Sequence, residues 1–285
     1  MADTLSSLDT FQRNLHHWSE AGRREMEDFY ALASVDYSYL AEAQDWKEWF
    51  EARQAEAGTR RLRLLDVACG SGKFPAALVR DAAISTASIR PVEYALLDPS
   101  PFSISEARQA LSAPFEPGEQ YQTKLQDLEC EARSFDIVWA THALYALPEA
   151  ELEDGLRRFM RALRKNGRGF IAHACEDAHY ISFYRRFLDA FRGGAGVPYT
   201  SAEQIEGTLT AMGVGFDTHN IVYENSAPEN ARLLIEGFLQ RCVFDDTTSL
   251  DQMLARPETG SYLESCRVNG CWRFSQRVKL IFIRA

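Results

Sequence analysis

Four short stretches of this sequence carry side chains that could do chemistry together. Asp66-Val67-Ala68-Cys69-Gly70-Ser71-Gly72 joins an acid to two glycines, and Asp98-Pro99-Ser100, Asp127-Leu128 and Thr141-His142 follow it. Glycines at 70 and 72 permit a tight turn and close approach of a ligand to the backbone. A carboxylate at Asp98 can accept from both hydroxyls of a ribose, and one at Asp127 from an adenine amino group. Each residue alone also fits a turn or a helix cap. The set together describes a ligand containing a nucleoside.

Loop chemistry narrows that ligand. A dinucleotide pyrophosphate calls for G-x-G-x-x-G, and the residue three beyond Gly72 is Pro75. A P-loop needs Gly-Lys-Ser/Thr, and Gly72-Lys73 is followed by Phe74. A sulfonium cofactor has no phosphates and carries an amino-acid moiety, whose ammonium loop carbonyls or Asp66 can satisfy. Methyl transfer from such a cofactor is an in-line displacement in a dry cavity. His142 is the candidate base, because imidazole titrates near neutrality; the other reading is that it only hydrogen-bonds substrate or backbone. Tyr145 beside it suits an aromatic wall. Trp18, Tyr30, Tyr37, Tyr39 and Trp46 add rings that either attract a cation or fill core. His173, Glu176 and His179 lack a further clustered carboxylate or cysteine, so a structural or substrate-shaping role is expected and no metal. His16-His17, in a polar helical stretch, reads as solvated.

To meet, these residues must sit at strand ends along one edge of a sheet. Residues 10 to 56 read as helical, with Trp46, Trp49 and Phe50 at helical spacing. Strands are expected at Leu62–Ala68, Val92–Leu97, Tyr121–Leu125, Phe135–Ala140 and Gly169–Ala174, and a last one at Val278–Ile283. Helical patterns separate them, from Phe74, from Ser103 and over Pro148–Leu163, which is the alternation of a parallel α/β sheet. Beyond Tyr180–Phe191 a glycine-rich break at 193–196 leads to Thr200-Ser201-Ala202-Glu203, a capping-box pattern.

Composition sets outer bounds. The chain has 285 residues, 46% apolar and 25% charged, as in ordinary soluble globules. A formal net charge of −10 counts against a nucleic-acid partner, which needs a basic footprint. The densest basic run, Arg157-Arg158 with Arg161, Arg164 and Lys165, suits a solvated helix face. No apolar run reaches membrane-spanning length, and Met1-Ala2-Asp3-Thr4 opens without a basic, then apolar, leader. The six scattered cysteines (Cys69, Cys130, Cys175, Cys242, Cys266, Cys271) suit reduced thiols and a cytoplasmic location.

Leu64 to Gly72 resembles the first motif of the class I S-adenosylmethionine-dependent methyltransferases, and Leu97-Asp98-Pro99-Ser100 resembles the second. The resemblance covers about residues 60–175. It implies a Rossmann-like seven-stranded, mostly parallel sheet with helices on both faces and S-adenosyl-L-methionine as cofactor. The residues expected to hold that cofactor are Asp66, Ala68, Gly70, Gly72, Asp98, Pro99, Ser100, Asp127, Leu128 and Thr141. A fainter resemblance to histamine N-methyltransferase-like small-molecule enzymes rests on Thr141-His142-Ala143-Leu144-Tyr145, Tyr199-Thr200-Ser201, Phe238-Leu239 with Cys242 and Phe244, and the closing Leu280 to Ala285. It implies substrate contacts at His142, where that family has glutamine, and at Gln276. It also implies an N-terminal acidic ligand, for which Glu42 and Glu48 are nearest.

The expectation is a helical lid over residues 1–58 and a methyltransferase domain over 59–285, with pocket-shaping insertions at about 176–212 and 225–276. His142 and Tyr145 are the catalytic candidates, joined by His173, Gln276, Tyr37 and Tyr39 as substrate contacts. The expected acceptor is a small polar molecule. N-methylation of an amine or amino-acid-like substrate stands ahead of S-methylation of a thioether such as methionine, and of O-methylation. A catalytically silent cofactor-binding regulator is the other class, and the intact loop and polar His142 count against it.

Overall fold

The computed structural model describes residues 10–285. Strands β1 (Leu62–Val67), β2 (Val92–Leu97) and β4 (Phe135–Thr141) are buried almost throughout, as strands covered on both faces must be. They run parallel with β3 (Phe115–Tyr121) and β5 (Leu163–Ala174) in the order β3-β2-β1-β4-β5. Next comes β8 (Cys271–Arg284), antiparallel to β5 and to the edge strand β6 (Phe216–Pro228). The sheet has eight strands rather than the seven expected, because the short β7 (Arg267–Val268) folds back on the start of β8.

Alternate side chains feed opposite faces. Leu64, Ile137 and Trp139 join one cluster, packed by α3 (Trp46–Ala57), α4 (Lys73–Asp81) and α5 (Pro101–Ala110). Leu65, Val138 and Ala140 join another, packed by α6 (Glu149–Ala162) and α8 (Ala202–Ala211). A third cluster lies beyond the carboxyl edge of the sheet. There the β6–β8 ribbon runs on past the end of β5, since Cys271 to Arg277 pair with β6 and none of them with β5. Around its Trp272 and Phe274 gather α2 (Arg23–Glu42), α7 (His179–Arg192), α9 (Arg232–Cys242), α10 (Leu250–Ala255) and α11 (Pro257–Ser265). This cap, with α1 (Thr10–His17), encloses the space above the strand ends.

Several local expectations are corrected. The third strand lies at Phe115–Tyr121, not 121–125; Pro117 and Gly118 disguise it, and they are tolerated because it is an edge strand. The cap of α8 is Ser201, whose N–H donates to Gln204 Oε1 at 2.9 Å. Thr200 is engaged elsewhere, donating to the Leu147 carbonyl at 2.6 Å. His17 is buried, not solvated, at 3% exposure. Residues 1–9 of the expected N-terminal lid lie outside the described residues. Helix α3 is a sheet-packing helix, with Trp46 at 5.0 Å from Phe170 and 5.4 Å from Phe74 between ring centroids.

Trp46 also donates its indole N–H to the Leu40 carbonyl at 2.9 Å, so one side chain ties the end of α2 to the sheet. Trp46→Ala should lower the unfolding free energy by about 3–5 kcal/mol, the usual cost of emptying such a core position. Urea unfolding checks this, and a loss below about 1 kcal/mol would refute the anchoring role.

Candidate active site

The cofactor loop begins where β1 ends. Asp66 is 3% exposed, and its Oδ2 accepts from the Tyr94 hydroxyl of β2 at 2.7 Å. The chain then enters left-handed conformations at Ala68 (φ 50°), Gly70 (φ 51°) and Gly72 (φ 69°). Gly72 is constrained twice, because a Cβ there would lie 3.0 Å from Ala107 Cα in α5. The turn presents the Gly70 N–H to Asp98 Oδ2 at 3.1 Å, while Asp98 Oδ1 accepts from the Ser100 N–H at 2.9 Å. Each carboxylate oxygen of Asp98 thus keeps a lone pair for a further donor. Ser100 itself caps α5, accepting from the Ser103 N–H, and its hydroxyl donates to the Trp18 carbonyl.

One cavity joins this loop to the cap. Of the residues expected to hold the cofactor, Asp66, Ala68, Gly70, Asp98, Pro99 and Thr141 line it; Gly72, Ser100, Asp127 and Leu128 do not. Asp127 is exposed at the end of a 3-10 turn, Leu125–Asp127, and Leu128 is buried in the core. Leu125 and Gln126 line the cavity in their place. Of the expected substrate contacts, His142, Tyr145 and Tyr37 line it. Tyr39 is exposed and stacks on Tyr223 at 4.7 Å. His173 stands behind Tyr145, ring to ring at 4.2 Å, with Nε2 donating to the Thr200 carbonyl at 2.9 Å.

Gln276 is fully buried one layer back, where its Nε2 donates to Asn225 Oδ1 at 2.8 Å. Asn225 in turn donates to Asp36 Oδ1 at 2.6 Å, and Asp36 Oδ2 accepts from the Tyr180 hydroxyl at 2.7 Å. Asp36, on α2, lines the cavity and is an acidic residue that sequence reasoning did not single out. Glu42 and Glu48 are both exposed. The available signal was its place beside Tyr37, at the helical position that faces the same way as the aromatic residues.

His142 follows β4 with φ 51° and is tied to β5 by its N–H, which donates to the Ala172 carbonyl at 2.9 Å. Its Nδ1 lies 2.9 Å from the Tyr145 hydroxyl and its Nε2 3.4 Å from that of Tyr223. Burial pushes the imidazole down to about 3. Burial acts oppositely on the acids: Asp36 and Asp66 are each pushed up to about 7, and Asp98 to about 6. Buried carboxyls facing a shared space suit a ligand with an ammonium and a diol, so the residues present fit S-adenosylmethionine. Asp66 would meet the ammonium and Asp98 the ribose hydroxyls. Among the described residues, no group of three or more His, Cys, Asp or Glu is placed to hold a metal ion, and no helix is long and apolar enough to cross a membrane.

Residues 65–168 match a protein family described as a methyltransferase domain. A curated relative, a highly reducing polyketide synthase of Purpureocillium lilacinum, is 27% identical over 163 residues, which are 54% of this chain and 6% of the synthase. The chain therefore spans only a small part of that relative. Among solved structures, the fold is shared with magnesium protoporphyrin IX methyltransferase of Synechocystis PCC 6803 with bound S-adenosylhomocysteine. The TM-score is 0.53 at 13% identity, over 95% of this chain and 98% of that one. The plantazolicin methyltransferase BpumL aligns with TM-score 0.50 at 10% identity, over 99% and 98% of the two chains.

The raised carboxyls give a sign for pH dependence. In the ligand-free protein, the folded state holds extra protons between about pH 4, the unfolded carboxyl value, and about pH 6–7. Each such group therefore costs stability as pH climbs through that window, and a bound cation removes the cost. The cofactor implied by the sequence should bind more tightly as pH rises through this range, by up to about tenfold per pH unit for each linked proton. Calorimetric titration near pH 5.5 and pH 8 checks it; an unchanged affinity would separate Asp66 and Asp98 from the ligand.

Proposed function

We propose that the chain is an S-adenosylmethionine-dependent methyltransferase, which the match of residues 65–168 to a methyltransferase domain supports, and that it methylates a small polar acceptor, foremost the nitrogen of an amine. The observation that carries the acceptor is Asp36. It is a buried carboxylate on the cavity wall, held by a phenol and an amide rather than by a cation. A desolvated acid gains most from a positively charged partner. Tyr37, Tyr145 and Tyr180 line the same cavity, and aromatic rings there favour a cation further; the Tyr30 ring already meets Lys73 Nζ at 4.6 Å.

When bound, S-adenosylmethionine supplies the electrophilic methyl group. The chain's part is to orient and to exclude water. Asp66 and Asp98 fix the cofactor end, the aromatic walls keep the cavity dry, and Asp36 draws the acceptor's ammonium to the far end. An ammonium has no free electron pair, so the site must also remove a proton. Asp36 and His142 are the two cavity groups suited to it.

The match to a polyketide synthase favours a second acceptor, an acidic carbon of a polyketide intermediate. That chemistry makes the same demand, since the carbon must lose a proton before it takes a methyl group.

Calorimetry should show binding of S-adenosylmethionine and S-adenosylhomocysteine. Binding of neither would end the methyltransferase reading, and binding of both without turnover on any acceptor would identify a silent regulator. An acceptor panel read by mass spectrometry should give methylated amines first. Products from acidic carbons alone would select the second reading, and products from thioethers or carboxylates alone would reject both.

A further inference from the structure

S-adenosylmethionine carries a carboxylate beside its ammonium, and ionised Asp66 and Asp98 can only repel it. A site for the whole cofactor therefore needs a cation on the same wall. Among the described residues, Lys73, Lys124 and Arg241 are the cationic side chains that line the cavity. The carboxylate and the ammonium leave one carbon atom, so their ligands must lie close together. That constraint separates the three. Arg241 belongs to the cap, where it donates to the His17 carbonyl at 2.7 Å and lies 4.5 Å over the Trp18 ring. Lys124 stands past β3 beside Leu125 and Gln126, in the stretch expected to meet the adenine. Lys73 closes the turn that follows Asp66, directly after Gly72 and at the start of α4.

Lys73 is half-buried, and its Nζ lies 4.6 Å from the centroid of the Tyr30 ring. Tyr30 comes from α2, and its other end reaches the turn, since a Cβ at Gly70 would stand 3.8 Å from its hydroxyl. One phenol thus spans the glycine turn and the lysine. An ammonium held on a ring keeps its donors and its full charge. The acids on this side have other partners. Asp66 accepts from Tyr94, Asp98 accepts from the Gly70 and Ser100 N–H groups, and Glu106 pairs with Arg23 at 3.2 Å. The two cavity acids and the lysine thus stand on one wall with neutral partners, a pattern that a zwitterion completes. We propose that Lys73 binds the carboxylate of the cofactor's amino-acid moiety, and that Tyr30 is a positioning residue that holds the lysine ammonium there. This rests on the S-adenosylmethionine reading of the site. It adds the group that tells the whole cofactor from a nucleoside lacking the carboxylate.

Calorimetry on the full chain isolates the carboxylate by comparing S-adenosylhomocysteine with its decarboxylated analogue, which keeps the adenosine, the sulfur and the amine. The wild-type protein should bind S-adenosylhomocysteine about 10- to 100-fold more tightly, the effect of one charged hydrogen bond. Lys73→Met should bring the two affinities within about threefold of each other by weakening S-adenosylhomocysteine alone. Lys73→Arg should keep most of the preference. Tyr30→Leu should shrink the preference by about 2- to 5-fold; equal weakening of both ligands would make Tyr30 merely structural and overturn its positioning role. No preference in the wild type, or a preference that survives Lys73→Met, would overturn the proposal. Lys73→Gln gives the same comparison should the methionine variant not fold. A wild-type protein that binds neither ligand would instead end the cofactor reading itself.

Discussion

Three carboxyl groups, those of Asp36, Asp66 and Asp98, face one cavity, and burial rather than a neighbouring cation governs each. Carboxylates taken out of water are costly unless something donates to them. Here the donors are neutral. Tyr94 serves Asp66, the backbone N–H groups of Gly70 and Ser100 serve Asp98, and Tyr180 and Asn225 serve Asp36. Those donors come from β2, the glycine loop, the start of α5, α7 and β6, so the acids become tolerable only when sheet and cap are assembled. Neutral donors also leave the negative charge in place. Each acid, when ionised, therefore favours a positively charged partner, and Lys73, Lys124 and Arg241 line the same cavity.

The same constraint explains why the N-terminal helices belong to the site rather than hanging over it. Ser100 donates its N–H to Asp98 and its hydroxyl proton to the Trp18 carbonyl, so one residue joins the loop side to the cover. Across the cavity Arg241 donates to the His17 carbonyl at 2.7 Å and stands 4.5 Å over the Trp18 ring. Thr10 and Arg13 both bond the Tyr184 hydroxyl on α7, at 2.9 and 2.7 Å. Burial beside Arg241 pushes His17 down to about 3, so this junction keeps a neutral imidazole through the physiological range. Water is kept from the carboxyls by a cover that is itself hydrogen-bonded to both walls.

What the sequence disclosed and what it withheld follow from how local each determinant is. Asp66, Gly70 and Asp98 were legible because a strand end followed by a left-handed turn needs those residue types within a few positions. Asp127 was not, because its place depends on where β3 stops, and Pro117 and Gly118 hide that strand. Gln126 faces the cavity instead. Asp36 was one acid among several on a helical stretch. What distinguishes it is Tyr180, 144 residues away, and Asn225, 189 residues away. The long β6–β8 ribbon escaped for a similar reason. Cys271 to Arg277 alternate buried and exposed only because a cap covers one side of them. The capping box was seen one residue early, since Thr200 and Ser201 are both able caps and only the tertiary bond to Leu147 decides between them.

His142 shows how a strained residue can be informative. A side chain larger than glycine at φ 51° costs of order 1 kcal/mol, and a polar residue before Ala143 could have continued without it. The backbone bond to Ala172 and the two phenols on the ring over-determine the conformation. Turning the chain left-handed there ends β4 abruptly and sets the imidazole between Tyr145, on the same loop, and Tyr223, on the far edge strand. A right-handed residue would carry the ring elsewhere and leave two buried hydroxyls to find other partners, each unmet one costing about 1–3 kcal/mol. The strain is therefore smaller than what it prevents.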